Sequence, residues 1–363
     1  MSTAKKADWR SQWRPMIDAV GTDFGDGVDL EGPDAVEGGA LRRFVEPLEF
    51  GCPLHHDREL ACQLGYRDVA APVSAIVTFT IPPVWHPGDP PAFTSPGRDA
   101  QPASQATGPR WTGLEPATRG FFAADMAADF LTPVVVGDRL SRRGNRLLSC
   151  TPKETSVGRG AFLMWQSEVR NQCGELVARL RNTAYIYEPH STAPSARGTI
   201  TAPSPAEDWA VADTPVDWSR QRCWEDVTEG QSLPSVRYPL SVYRLIMAAG
   251  GNRDFNSIHH NADWARATGA PDMYANVVFL HGMWERCVRE FIGLRGRIRQ
   301  VSGFRMNSFN TAGDVVTVRG NVSRAWTEAG EGLVELRVWS QNSRGVSVGP
   351  GTVTATMPRR RPM

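Results

Sequence analysis

The sequence predicts an α+β chain built from two related halves, each a helix packed on an antiparallel sheet. Three observations predict it. A histidine-led pattern, H-H-x4-A-x3-G-x2-D, occurs at 55–68 (HHDRELACQLGYRD) and at 259–272 (HHNADWARATGAPD), an offset of 204. Two further matches follow in the same order: FLTPVVVGD (130–138) with FNTAGD (309–314), and NQCG (171–174) with NSRG (342–345). Each half also ends in three β-rich runs separated by Gly, Asn and Glu turns. Chance likeness between unrelated soluble domains is the alternative; three collinear matches favour duplication.

The Gly-Asp pairs Gly137-Asp138 and Gly313-Asp314 are offset by 176, so the first half needs an insertion of 28 residues. HPGDPPAFTSPGRDAQPASQATGPRW (86–111) is rich in Pro, Gly, Ser and Ala with no apolar period, and reads as that insertion, a loop. EPHSTAPSARGTITAPSPAEDW (188–209) reads as the linker. The expected organisation is a first half at 1–187, the linker at 188–209 and a second half at 210–363.

In the second half a short helix follows the His-His pair, with Trp264, Ala265 and Thr268 on one face. A longer helix is expected at roughly 274–292, where Val277, Val278, Leu280, Trp284, Cys287, Val288 and Phe291 form an apolar stripe. Strands are expected at 313–326, 332–343 and 346–358, and in the first half at 137–150, 161–172 and 175–188.

Bulk properties exclude several classes. A chain of 363 residues suits two ordinary domains, and 41% hydrophobic with 22% charged residues reads as soluble and globular. A net charge of +1 gives no reason to expect a nucleic-acid partner. Cys52, Cys62, Cys150, Cys173, Cys223 and Cys287 form no C-x-x-C and no zinc spacing, so no metal is expected and a reducing compartment is. MSTAKKADWRSQWRPM has charge without an apolar core, unlike a signal peptide, and no apolar run suits a membrane span. The expectation is a cytoplasmic protein with no membrane partner.

The chemistry-bearing stretch is GGNRDFNSIHHNAD (250–263). D-x-N-x-x-H (Asp254, Asn256, His259) followed by x5-A-x3-G resembles the hydration signature of MaoC-like dehydratases and (R)-specific enoyl-CoA hydratases, which are hot-dog proteins. WEDVTEGQSLP (224–234) is similar to the start of such domains, as is the F-x-T-x-G-D turn. PLHHDRELACQLGYRDVAAPVSAI resembles the N-terminal dehydratase-type half of bacterial two-domain members. The resemblance covers most of the chain. It implies a fused double hot-dog and a hydro-lyase interconverting 3-hydroxyacyl and 2-enoyl thioesters of CoA or an acyl carrier protein. It implies (R) stereochemistry and no cofactor beyond the thioester substrate.

The residues can bear those roles. Hydration needs water activated at Cβ and a proton delivered to Cα, and a carboxylate with an imidazole can share that work. Asp254 and His259 are the expected catalytic pair, with Asn256 fixing the loop between them. A lone Asp in a loop is more often a cap, and a lone His more often structural; their joint spacing favours catalysis. His260 is read as structural. The thioester oxygen needs a donor, which the N-terminus of the long helix can supply. The resemblance implies a His-Gly at that helix start with the Gly amide as donor; counting from His259, the matching position here holds Asn276-Val277, with the Val277 amide as donor. The alternative is Gly282, in His281-Gly282-Met283.

In the first half Phe50 stands where Asp254 would be and Cys52 where Asn256 would be, leaving His55 without a carboxylate. That half is expected to be silent. The competing readings are a hot-dog acyl-thioesterase and a non-catalytic acyl-binding subunit of a heteromeric dehydratase. Arg295, Arg297, Arg299 and the tail Arg359-Arg360-Arg361 could meet CoA phosphates, but read more simply as solvated surface. One chain supplies both hot-dog partners, so a monomer or a homodimer is expected. Its single site lies between the halves, roofed by 86–111.

Overall fold

The protein is described as a computed structural model covering residues 8–103, 107, 111–155, 157–190 and 216–360. Most of the expected linker lies outside those residues, from 191 onward.

The first half contains α1 (Arg14–Asp18), β1 (Leu30–Ala35), α2 (Gly38–Val45) and α3 (Arg58–Gln63). It continues with β2 (Gly120–Phe130), β3 (Arg139–Glu154), β4 (Gly158–Asn171) and β5 (Leu176–Pro189). The second half has β6 (Val236–Pro239), α4 (Val242–Gly251), α5 (Ala262–Ala267) and α6 (Val277–Ile292). It ends with β7 (Arg297–Arg305), β8 (Val315–Glu328), β9 (Glu331–Asn342) and β10 (Gly345–Met357).

All ten strands form one sheet, in the order β1-β3-β4-β5-β2-β7-β10-β9-β8-β6. The halves join where β2 pairs antiparallel with β7, with Met126 opposite Phe304 and Ala128 opposite Val301. Each half-sheet alternates as a one-sided sheet should: in β9, Val334, Leu336 and Val338 are buried between more exposed neighbours. One apolar core runs through both halves, from Leu41, Phe44 and Leu48 to Phe279, Trp284 and Phe291.

The duplication has a backbone counterpart. Isolated bridges join Ala70 to Val135 and Tyr274 to Thr311, reproducing both offsets, 204 and 176. Asp57 caps α3 through the Leu60 amide, and Asn261 caps α5 through the Trp264 amide. Gly137 and Gly313 both turn at positive φ, 91° and 89°, before a buried or nearly buried Asp.

The halves differ where function is at stake. Among the described residues the long helix occurs only in the second half. Asn276 caps it, its apolar stripe is buried on nearly every side, and Gly293 at φ 70° follows its end. Its first-half counterpart is a short 3-10 segment, Val73–Thr80. The insertion follows, and its described residues form no helix or strand.

Three expectations need correction. Thr268 does not share a face with Ala265: it caps the end of α5 and is exposed. β2 and β7 are further strands, and GLRGRIRQ runs into β7, where Ile298 is buried between more exposed arginines. Arg299 there is engaged by Glu331 at 3.1 Å.

Candidate active site

The loop after α4 builds the site. Ser241 caps α4 through the Arg244 amide, and the helix ends at Gly251, whose missing side chain lets it approach the Arg43 carbonyl of α2. Arg253 turns the chain at φ 57° and donates to the Ile81 carbonyl of the first half at 2.8 Å. Asp254 follows, its amide held by the Ala249 carbonyl at 3.0 Å. Asn256 accepts from the Ile258 amide at 3.3 Å and caps the 3-10 turn Ser257–His259, the loop-fixing part expected of it.

This turn brings the expected pair together: Asp254 Oδ2 lies 3.4 Å from His259 Nε2, and both side chains are largely buried. His259 Nδ1 lies 2.8 Å from the Tyr274 carbonyl. A carbonyl only accepts, so Nδ1 donates to it and the ring turns Nε2 to Asp254. Tyr274 also packs its ring edge-on against His259, centroids 5.2 Å apart. Burial pushes the Asp254 carboxyl up. His259 and hydrogen bonds from His259, the Thr107 hydroxyl and the Asn256 amide outweigh it and hold Asp254 below the usual carboxylate range. His260 points elsewhere, to the Phe255 carbonyl at 3.2 Å.

Asn276 is a cap rather than a group offered to substrate. Its Oδ1 accepts from the Phe279 amide at 2.7 Å and from Asn252 at 3.0 Å. The amides of Val277 and Val278 begin α6 and have no partner among the described residues, as expected of a first helical turn. Gly282, the alternative donor, sits inside α6, where its amide belongs to the helical ladder. A Cβ there would lie 2.6 Å from Leu48, so glycine at this position permits close packing of α6 on the first half.

Three partners were not legible in the sequence. Thr107 Oγ1, from the insertion, donates to Asp254 Oδ1 at 3.1 Å. Ser257 donates to Gln101 at 2.8 Å, so the insertion meets the turn that carries His259. Tyr274 could have been found only as the offset partner of Ala70.

The first half keeps the same histidine frame without the carboxylate. His55 Nδ1 meets the Ala70 carbonyl at 2.8 Å, as His259 meets Tyr274. Phe50 packs edge-on against His55, ring centroids 4.8 Å apart, in place of a carboxylate. Burial lowers the His55 pKa to about 3, so its ring is neutral. The amides of Val73 and Ser74, offset partners of Val277 and Val278, both donate to Glu285 of α6 at 2.8 Å. Ser74 Oγ adds a third bond at 2.5 Å.

Residues 19–180 match the family model described as FAS1-like, dehydratase domain region. The 3-oxo-4,17-pregnadiene-20-carboxyl-CoA hydratase beta subunit of Mycobacterium tuberculosis is 29% identical over 116 residues, 32% of this chain and 86% of that protein. The fold is that of the MaoC-like hot-dog dehydratases: a solved MaoC-like dehydratase has a TM-score of 0.66 at 19% identity, covering 94% of this chain and 99% of that one. A putative MaoC domain dehydratase from Chloroflexus aurantiacus gives 0.61 at 13% identity, again covering 94% and 99%. A Mycobacterium tuberculosis protein described as a double hotdog gives 0.56 at 11% identity, covering 93% and 96%. The family-model match falls on the half that carries Phe50. Among the described residues no cluster could hold a metal ion, and no helix is long and apolar enough to cross a membrane.

Proposed function

We propose that the protein is a hydro-lyase interconverting a 3-hydroxyacyl thioester and a 2-enoyl thioester, of CoA or an acyl carrier protein, at Asp254 and His259. The observation that carries this reading is the convergence of Asp254 Oδ2 and His259 Nε2 at 3.4 Å with Nδ1 tied to a carbonyl. Two acceptors so placed suit one water that donates a hydrogen to each. In the hydration direction the water oxygen bonds to Cβ while His259 Nε2 takes one proton. The π electrons move toward the thioester carbonyl, and the imidazolium returns a proton to Cα. H and OH are added and the site is restored. Asp254 keeps the second hydrogen of the water in place and stabilises the imidazolium. The Val277 amide, with Val278 beside it, is the donor for the thioester oxygen.

No cofactor is required by this chemistry. The relative is named as a subunit of a 3-oxo-4,17-pregnadiene-20-carboxyl-CoA hydratase, which supports a CoA thioester as substrate here. The test is incubation with a short trans-2-enoyl-CoA, following loss of enoyl absorbance and release of free thiol together. Enoyl loss without thiol supports the hydro-lyase. Thiol release supports a thioesterase instead, and neither signal would point to a non-catalytic acyl-binding subunit.

A further inference from the structure

The silent half is not filled. A cavity of about 50 Å³ opens beside His55, Val73, Ile76 and Phe130, with Arg289 and Arg297 in its wall. One buried water needs roughly 10–15 Å³ by such a measure, so the enclosed space takes about four atoms and a larger occupant extends through its open mouth. Two polar atoms there are buried with no partner among the described residues: His55 Nε2 and Arg289 Nε. Both residues are more than nine-tenths buried. A buried polar group left without a partner is costly, so both favour a polar occupant.

The two atoms ask for different things. His55 gives its Nδ1 proton to Ala70, so its Nε2 can only accept while the ring is neutral. Arg289 Nε can only donate. The charge around the cavity favours a single negative group. Arg289 and Arg297 are in no ion pair among the described residues, Arg299 is taken by Glu331, and the Glu285 carboxylate is already occupied by Val73 and Ser74. Glu285 also occupies the amides of Val73 and Ser74, so an occupant cannot have its carbonyl polarised there as a thioester would at Val277.

We infer that the first half retains this cavity as a non-catalytic binding site for a short hydroxy acid. Its carboxylate meets Arg289 and Arg297, and its hydroxyl donates to His55 Nε2. The tail leaves through the mouth beside Tyr66 and Leu131. The inference stands apart from the hydration reading, because it needs no chemistry at Asp254.

Calorimetric titration of the full chain with 3-hydroxybutyrate tests it, with butyrate as the analogue lacking the hydroxyl. One saturable site per chain is expected, about tenfold weaker for butyrate. Arg297→Ala, at an exposed position, weakens binding about tenfold. Ala71→Leu, which fills the cavity, abolishes it. Asp254→Asn leaves it unchanged, which separates this site from the catalytic one. The proposal is overturned by the absence of saturable binding, which would mean a cavity holding water only. Equal affinity for the two acids, insensitivity to Arg297→Ala and Ala71→Leu, or loss of binding in Asp254→Asn would also overturn it.

Discussion

The two halves hold the same histidine in the same way and differ in everything around it. His259 and His55 each tie Nδ1 to a carbonyl at 2.8 Å, from Tyr274 and Ala70. Beyond that bond the sites part. His259 faces a carboxylate and lies in the half with a capped helix whose first amides are open. His55 faces the ring of Phe50, and the equivalent amides are closed by Glu285. The comparison teaches that orienting an imidazole is a property of this fold's local chain path. Under the proposed function, catalysis takes two further additions, a carboxylate and an unoccupied donor for the substrate oxygen. The first half lacks both, so restoring one should not give it activity.

The largest effects are expected on the active side. Asp254→Asn and His259→Ala should each lower enoyl-CoA hydration by about 10²–10⁴-fold, the range for a positioned acid-base group. Circular dichroism should show both variants folded. Near-normal turnover in either would end the assignment of the pair. On the silent side, Phe50→Asp should add no measurable second activity in an Asp254→Asn background, because Glu285 still holds the donors. Recovered hydration there would show that the carboxylate alone separates the halves.

Glu285→Ala should act on stability. It removes a buried carboxylate that accepts three hydrogen bonds from the other half, and should cost about 3 kcal/mol in urea unfolding. The group is also pH-sensitive. Burial pushes the Glu285 carboxyl up, more than the hydrogen bonds of Ser74 and Val73 and the charge of Arg289 pull it down. A carboxyl raised in the folded state binds its proton more tightly than in the unfolded chain. Its contribution is therefore fully present below the unfolded value, near pH 4, and falls as pH rises through the folded value. Wild type minus Glu285→Gln, which keeps a neutral acceptor, should show that slope. His55→Ala should leave turnover within a few fold, and a loss matching His259→Ala would show that the first half is active after all.

How much of this was legible depended on the range of the interaction. The duplicated frame was readable because local pieces carry it: a histidine, a small-residue helix and a Gly-Asp turn recur at fixed offsets. Asp254, Asn256 and His259 lie within six residues, so their spacing alone brought them together. Phe50 was readable by the same offset. The strand β7 was present as alternation of Arg297 and Arg299 around Ile298, but its charge drew attention to the surface. The contacts that define the silent site were beyond reach: Glu285 meets Val73 across 212 residues. Thr107 meets Asp254 across 147. A serine or a threonine in a low-complexity loop carries no mark of its partner, and only the fold supplies it. The long helix misled in one respect, since His281-Gly282 imitates a helix start that lies five residues earlier.

The finest distinction between the halves is the Thr107 hydroxyl, for which the Phe50 side has no use. Thr107 donates to Asp254 Oδ1 and so favours the ionised carboxyl. Thr107→Val keeps the shape and removes the donor. The carboxyl that burial already pushes up loses one of the bonds opposing it, so its pKa rises. A carboxyl held below its usual range stays ionised until pH falls through its folded value. The ionisation of Asp254 is read directly from the NMR shift of its carboxyl carbon as pH falls, apart from any titration of His259. In Thr107→Val the Asp254 midpoint should move upward by about one pH unit or less, the worth of one hydrogen bond to a charged group. Turnover at pH 7 should change little, since Asp254 remains ionised there in both proteins. The measurement is that titration for wild type and Thr107→Val, compared with Thr107→Ser, which restores the hydroxyl and should return the midpoint. An unmoved midpoint would mean that the insertion meets Asp254 without tuning it.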